Sequence, residues 1–156
     1  PAGPVEIAFG KLIPGCVVGL VHGTIFFFST IWFFDVPFVG SVLVLYVTML
    51  LFSLSVSSMG LMVSSFASTQ QQAFLGCFTL AVPCILLSGF MTPVNNMPMF
   101  LQNLSQLNPL RHFIVILQGL FLKDITMSAA LDSSARIAAI SAVSMLCAIW
   151  MFKRKA

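Results

Sequence analysis

Between Asp35 and Arg111 the chain carries no Asp, Glu, Lys, Arg or His. Over its 156 residues only 7% are charged, 59% are hydrophobic and the mean hydropathy is +1.06. So little charge cannot cover the surface of a soluble domain of this length, which leaves an all-α integral membrane protein. Four acidic residues supply no ordered carboxylate pair, and no HExxH or Ser/His arrangement lies in an apolar run. No phosphate-cradling P-loop is present, so the chain does not itself hydrolyse nucleotide, and no catalytic set or bound cofactor is expected. Cys16, Cys77, Cys84 and Cys147 sit in apolar runs without CxxC spacing, and they read as small buried hydrophobes rather than metal ligands or disulfides. The formal charge of +3 concentrates in Lys153, Arg154 and Lys155. That cluster fits a membrane flank, not a nucleic-acid face.

What is present is a series of apolar runs. Residues 12–34 are long enough for a hydrocarbon core of about 30 Å. Pro14 is placed in the first turn of that run, where its missing N–H costs little. Phe26, Phe27, Phe28, Trp32, Phe33 and Phe34 mark an interfacial end closed by Asp35-Val36-Pro37. Residues 39–66 form a second span, rich in Ser and Gly in its second half, and a polar turn follows at Ala67–Gln72. Residues 74–90 form a third span with Pro83 near its middle, and residues 135–152 a fourth. Lys123 to Ser134 reads as a polar linker in which Asp132, Ser133 or Ser134 caps the last helix.

Leu87 to Asp124 (LSGFMTPVNNMPMFLQNLSQLNPLRHFIVILQGLFLKD) is too apolar for an exposed loop and too broken to span. Pro93, Pro98 and Pro109, with Asn95, Asn96, Asn103 and Asn108, interrupt it. Residues 97–122 are expected to form two short non-spanning helices, re-entrant or interfacial, that cap the bundle, gate it, or both. In the first, Phe100, Leu101, Leu104 and Leu107 share an apolar face. Leu110, Phe113, Ile114, Leu117, Leu120 and Phe121 stripe the second, and His112 beside Arg111 is read as headgroup-facing. Pro93, Asn95, Asn96, Pro98, Asn108 and Pro109 are the outer-gate residues.

Four spans place both ends on one side. Lys11 and the basic tail then oppose Arg111, Lys123 and Arg136, with Asp35, Asp124 and Asp132 on the second side, and the ends are taken as cytoplasmic. His22 stands alone in the first span, either as a helix–helix hydrogen bond or as a substrate or proton contact. Ser57, Gly60 and Ser64 mark either close packing or a pathway lining, and Ala135, Ala139 and Ala142 read the same way. The opening at Pro1, without Met or a signal-peptide pattern, is read as a fragment whose N-terminal part is missing.

GKLIPG at Gly10–Gly15, SSFASTQQQA at Ser64–Ala73 and the Leu87–Asp124 segment together resemble the C-terminal part of permeases of the ATP-binding-cassette type 2 exporter family. The resemblance runs over essentially the whole chain and implies a C-terminal fragment of a six-helix permease in a bacterial inner membrane. It implies a separate ATPase subunit that uses ATP, and a second permease, identical or not, completing the path. Pro1 to Lys11 and the turn at Gln70, Gln71 and Gln72 would face that ATPase, with Glu6 and Lys11 among the contacts. The short helices would close the path on the outer side. Asn95, His112 and Gln118 depart from the acidic, aromatic and Arg residues frequent there, which makes the closure an apolar plug with amide edges rather than an ionic latch. Hydrophobic or amphiphilic cargo suits an uncharged path. A non-transporting membrane scaffold or assembly subunit is the alternative.

Overall fold

The computed structural model describes residues 3–123 and 125–155. Pro1, Ala2, Asp124 and Ala156 lie outside the described residues, as do the side chains of Pro4, Lys123 and Lys155, so the readings placed on them are not addressed. Six α-helices occur, with no strand among the described residues: α1 Pro4–Phe34, α2 Val42–Phe66, α3 Gln70–Leu86, α4 Met99–Ser105, α5 Pro109–Gln118 and α6 Met127–Lys155. A 3-10 turn at Val94–Asn96 precedes α4, and a π turn at Gly119–Lys123 follows α5.

α1, α2 and α6 are long and apolar enough to cross a membrane. Two of them start earlier than their hydropathy suggests. α1 begins at Pro4, proline being favoured at a first helical position, and the Glu6 carboxylate accepts the Gly3 N–H at 3.1 Å. Pro14 therefore lies inside the helix, not in its first turn. α6 begins at Met127, so Asp132, Ser133 and Ser134 are interior and cap nothing. Its polar first turns stand outside the apolar window, and an Asp132–Arg136 pair at 3.2 Å, one turn apart, supports them. α2 begins only at Val42, because residues 39 and 40 are tied elsewhere: both backbone N–H groups donate to the Leu120 carbonyl, at 3.2 and 2.9 Å.

The third run behaves differently. Thr69 Oγ1 accepts the Gln72 N–H at 3.2 Å and starts α3 at Gln70, four residues before its apolar stretch. The helix stops at Leu86, where Ser88 Oγ donates to the Ile85 carbonyl and Gly89 turns the chain at φ +86°. Its 17 residues rise about 25 Å, less than the hydrocarbon thickness. α3 thus ends about 12 Å before the far end of α2, whose 25 residues start from the same turn.

α2 is the centre of the bundle and packs on α6, α1, α5 and α3. One cluster of buried side chains joins Phe27, Leu45, Met49, Ile116, Leu120 and Ile137 at the end near Asp35; a second joins Leu12, Leu61 and Ala148 at the other. The α2–α6 seam includes small residues: Ser58 of α2 and Ser141 of α6 are both buried and their hydroxyls meet at 3.4 Å, and Ala148 of α6 packs in one cluster with Leu61 of α2. Ala135, Ala139 and Ala142 are exposed, and Ala142 also lines a cavity of about 200 Å³ with Leu12 of α1 and Leu54 and Ser58 of α2. At the basic end Lys11 lies 5.9 Å from the Phe152 ring and Arg154 stacks 4.2 Å over Trp150, a cationic and aromatic anchor for an interface.

Candidate functional site

The room left beyond the end of α3 is filled by the α4–α5 hairpin. Asn108 sits at its turn, 5% exposed, and its amide is used at both ends. Oδ1 accepts the Leu110 N–H at 3.1 Å and caps α5, with Pro109 at the first helical position. Nδ2 donates to the Cys84 carbonyl, one of the last four of α3, which has no partner within its own helix. One side chain therefore starts one helix and finishes another. From there α5 climbs beside α2: Phe113 stacks on Phe52 with centroids 4.2 Å apart and planes 9° from parallel, and the π turn delivers the Leu120 carbonyl to Val39 and Gly40.

The hairpin holds itself together through polar groups turned inward. Arg111 Nη1 donates to the Gln102 carbonyl at 3.2 Å and to Ser105 Oγ, and Gln102 Nε2 donates to the Met97 carbonyl at 2.8 Å. The apolar side of α4 faces outward, with Phe100 74% and Leu107 68% exposed. That orientation suits a bilayer, where hydrocarbon takes the apolar face and polar groups must find partners within the protein. His112 corrects the headgroup-facing expectation. It is 6% exposed, and Nε2 lies 2.8 Å from the Gln106 carbonyl, which can only accept, so Nε2 carries a proton. Burial holds the imidazole below its ordinary value of 6.5; the Gln106 carbonyl works against this, Arg136 and Arg111 add to it, and Asp132 opposes it.

Of the outer-gate residues, Pro98 is the N-cap of α4, Pro93 precedes the 3-10 turn, and the Asn95 and Asn96 side chains are exposed. Asn108 and Pro109 alone among them are buried. His22 and Ser57 line a cleft of about 500 Å³ between α1 and α2. Gly60 lines a separate cavity of about 260 Å³ between α2, α3 and Asn108-Pro109, and a Cβ there would meet nothing within 4 Å. Ser64 is exposed, so the three residues read as one face serve three surroundings. Glu6, Lys11, Gln70 and Gln71 are exposed, and they lie at the end of the bundle that carries the basic tail.

Sequence reasoning used Arg111 only to judge sidedness and gave no role to Gln102, Ser105, Gly15, Gly19 or Gly23. The glycines recur every fourth residue on α1, a small-residue spacing legible in the sequence. Built Cβ atoms there would collide with Ser57, Ser53 and Met49 of α2.

The model of the family described as ABC-2 type transporter matches residues 1–122. The chain is 42% identical over 150 residues to the probable multidrug ABC transporter permease YbhR of Escherichia coli, a match covering 96% of this chain and 41% of that protein. It is 33% identical over 118 residues to the probable multidrug ABC transporter permease YbhS of the same organism, covering 75% of this chain and 31% of that one. The chain thus spans about two-fifths or less of the curated relatives it matches. No solved structure matches it. The long apolar helices, the inserted hairpin and the matched family model agree: the chain belongs to the ABC-2 type transporter family.

Proposed function

We propose that the chain forms part of the translocation path in the permease subunit of an ATP-driven exporter, with α4–α5 as its outer closure. Family membership makes it a component of a transmembrane transporter that is not itself catalytic. In this reading a separate ATPase subunit binds and hydrolyses ATP, and a second permease, identical or not, completes the path. The protein resides in a bacterial inner membrane with the ends of α1 and α6 that carry Lys11 and Arg154 in the cytoplasm. Glu6, Lys11, Gln70 and Gln71 then face the ATPase. ATP binding shifts the permease pair between inward-open and outward-open states.

The observation that carries the reading is the hairpin tied through Asn108 to the prematurely ended α3. A short hairpin that fills the room beyond α3 and is joined to that helix by one side chain is a closure whose link to α3 can be broken. The test reconstitutes the full-length protein with its ATPase and measures ATP-dependent flux of uncharged amphiphiles. Flux that depends on ATP hydrolysis is expected. Absence of both flux and ATPase stimulation would leave a scaffold subunit and overturn the reading. Sidedness is checked with Asn103→Cys, an exposed position on α4. Labelling by an impermeant thiol reagent is expected from the outer face only, and labelling from the cytoplasmic face alone would invert the topology.

A further inference from the structure

The α1–α2 cleft has the dimensions of a small-molecule site, about 500 Å³, and holds polar groups that make no hydrogen bond across it among the described residues. His22 Nδ1 lies 2.9 Å from the Val18 carbonyl of its own helix. A carbonyl only accepts, so Nδ1 carries the proton, and in the neutral ring Nε2 remains a bare acceptor on the cleft. Ser53 and Ser57 line the same space, and neither hydroxyl makes a hydrogen bond among the described residues. Thr24 and Thr48, on the same two helices, both bond back to the carbonyl four residues earlier. Inside a bilayer, uncommitted polar groups gathered in one cleft call for a polar partner.

The rest of the wall is apolar and partly flat. Phe52 and Phe113, stacked face to face, close the end of the cleft toward α5. No charged side chain lines it. An ion entering would find no counter-charge, so the site disfavours charged solutes.

We propose that this cleft binds an uncharged amphiphile bearing a hydrogen-bond donor, such as a phenol, alcohol or amide. The donor bonds His22 Nε2 within reach of the Ser53 and Ser57 hydroxyls, and the apolar body lies against Phe52 and Phe113. The ligand's role as cargo rests on the permease reading; its binding does not.

The experiment uses the full-length permease in lipid nanodiscs without ATPase or ATP. Two photoreactive probes are compared: a diazirine-bearing alkylphenol, and its methyl ether, which lacks the donor. Labelling is expected in the segments spanning residues 15–23 and 49–57, with the phenol favoured about tenfold. His22→Phe should bring phenol labelling down to the ether's level and leave the ether unchanged. His22→Gln, which keeps an acceptor, should retain most of the preference. Equal labelling by both probes, labelling elsewhere, or a full preference in His22→Phe overturns the assignment. Ether labelling reports an intact cleft in each variant. Should His22→Phe lose it, Ser53→Ala with Ser57→Ala must lower the phenol preference, or the assignment fails. Binding without ATP-driven flux keeps the site and removes the cargo role. Flux without cleft labelling removes the site and leaves the permease reading standing.

Discussion

Asn108 needs both faces of its amide, and acid and alanine substitutions separate them. Asn108→Ala loses the α5 cap and the bond to Cys84, with an expected cost of about 1–3 kcal/mol. Asn108→Asp keeps the cap acceptor but points an anion at the Cys84 carbonyl, so it should be no more stable than Ala at neutral pH. On acidification the protonated Asp can donate to that carbonyl, and Asp should overtake Ala. Thermal unfolding of the two full-length variants between pH 7 and 4 reads the crossing; parallel curves would show that the Cys84 bond contributes nothing. Half of this was legible in the sequence. Asn-Pro announces a helix start, but the second bond spans 24 positions and depends on where α3 stops, which no local pattern states. His112 was hidden in the same way, since the Gln106 carbonyl meets the ring only once the hairpin has folded. With its folded pKa below 6.5, the unfolded form binds more protons as pH falls, so hairpin stability is retained above that value and lost below it. The charges involved are Arg111 on the same helix and Arg136 and Asp132 on α6. The protection factors of the amides from Gln102 to Leu110, corrected for the pH dependence of intrinsic exchange, should fall below about pH 6.5 in the native protein, and His112→Gln should flatten that dependence.

Between elements, the decisive variable is which helical face touches which neighbour. Serines occupy so much of the circumference of α2 that periodicity cannot choose a seam. Ser58 meets Ser141 of α6, while Ser57 lines the cleft against α1 and Gly60 the cavity against α3. Polar composition likewise disguised residues 127–134 as a linker, because hydropathy locates the membrane and not the helix. Two glycines on neighbouring helices should therefore respond oppositely to alanine. At Gly19 a built Cβ would lie 2.8 Å from the Ser53 Cβ, so Gly19→Ala must push α1 from α2. A loss of about 1–3 kcal/mol is expected, as for an overpacked core. At Gly60 nothing lies within 4 Å, so Gly60→Ala meets no steric penalty and should gain up to about 1 kcal/mol of helix propensity. Melting temperatures in one detergent decide it: both falling, or both rising, would contradict the packing described here.

At the scale of the whole molecule the helices divide by how they are held. α1, α2, α5 and α6 share a buried cluster at the end near Asp35, whereas α3 contributes no buried side chain and is packed on α2 with the Asn108 bond at its tip. Under the permease reading the inexpensive motion is α3 swinging on α2 with the Asn108–Cys84 bond broken, α1, α2, α5 and α6 moving as one body. Two disulfide locks distinguish these bodies, on a background with Cys16, Cys77, Cys84 and Cys147 replaced. Ser58→Cys with Ser141→Cys bridges α2 to α6, where the native hydroxyls are 3.4 Å apart. Val63→Cys with Gly76→Cys bridges α2 to α3, where a Cβ on Gly76 would lie 2.7 Å from Val63 Cγ1. Oxidation of the first pair should leave ATP-driven flux within about twofold, because it staples helices that already travel together. Oxidation of the second should abolish flux, and reduction should restore it. Loss of flux with the first lock would mean that the bundle itself opens between α2 and α6. Flux through the second would mean that cargo passes while α3 stays fixed, and the outer hairpin alone would then have to act as the gate.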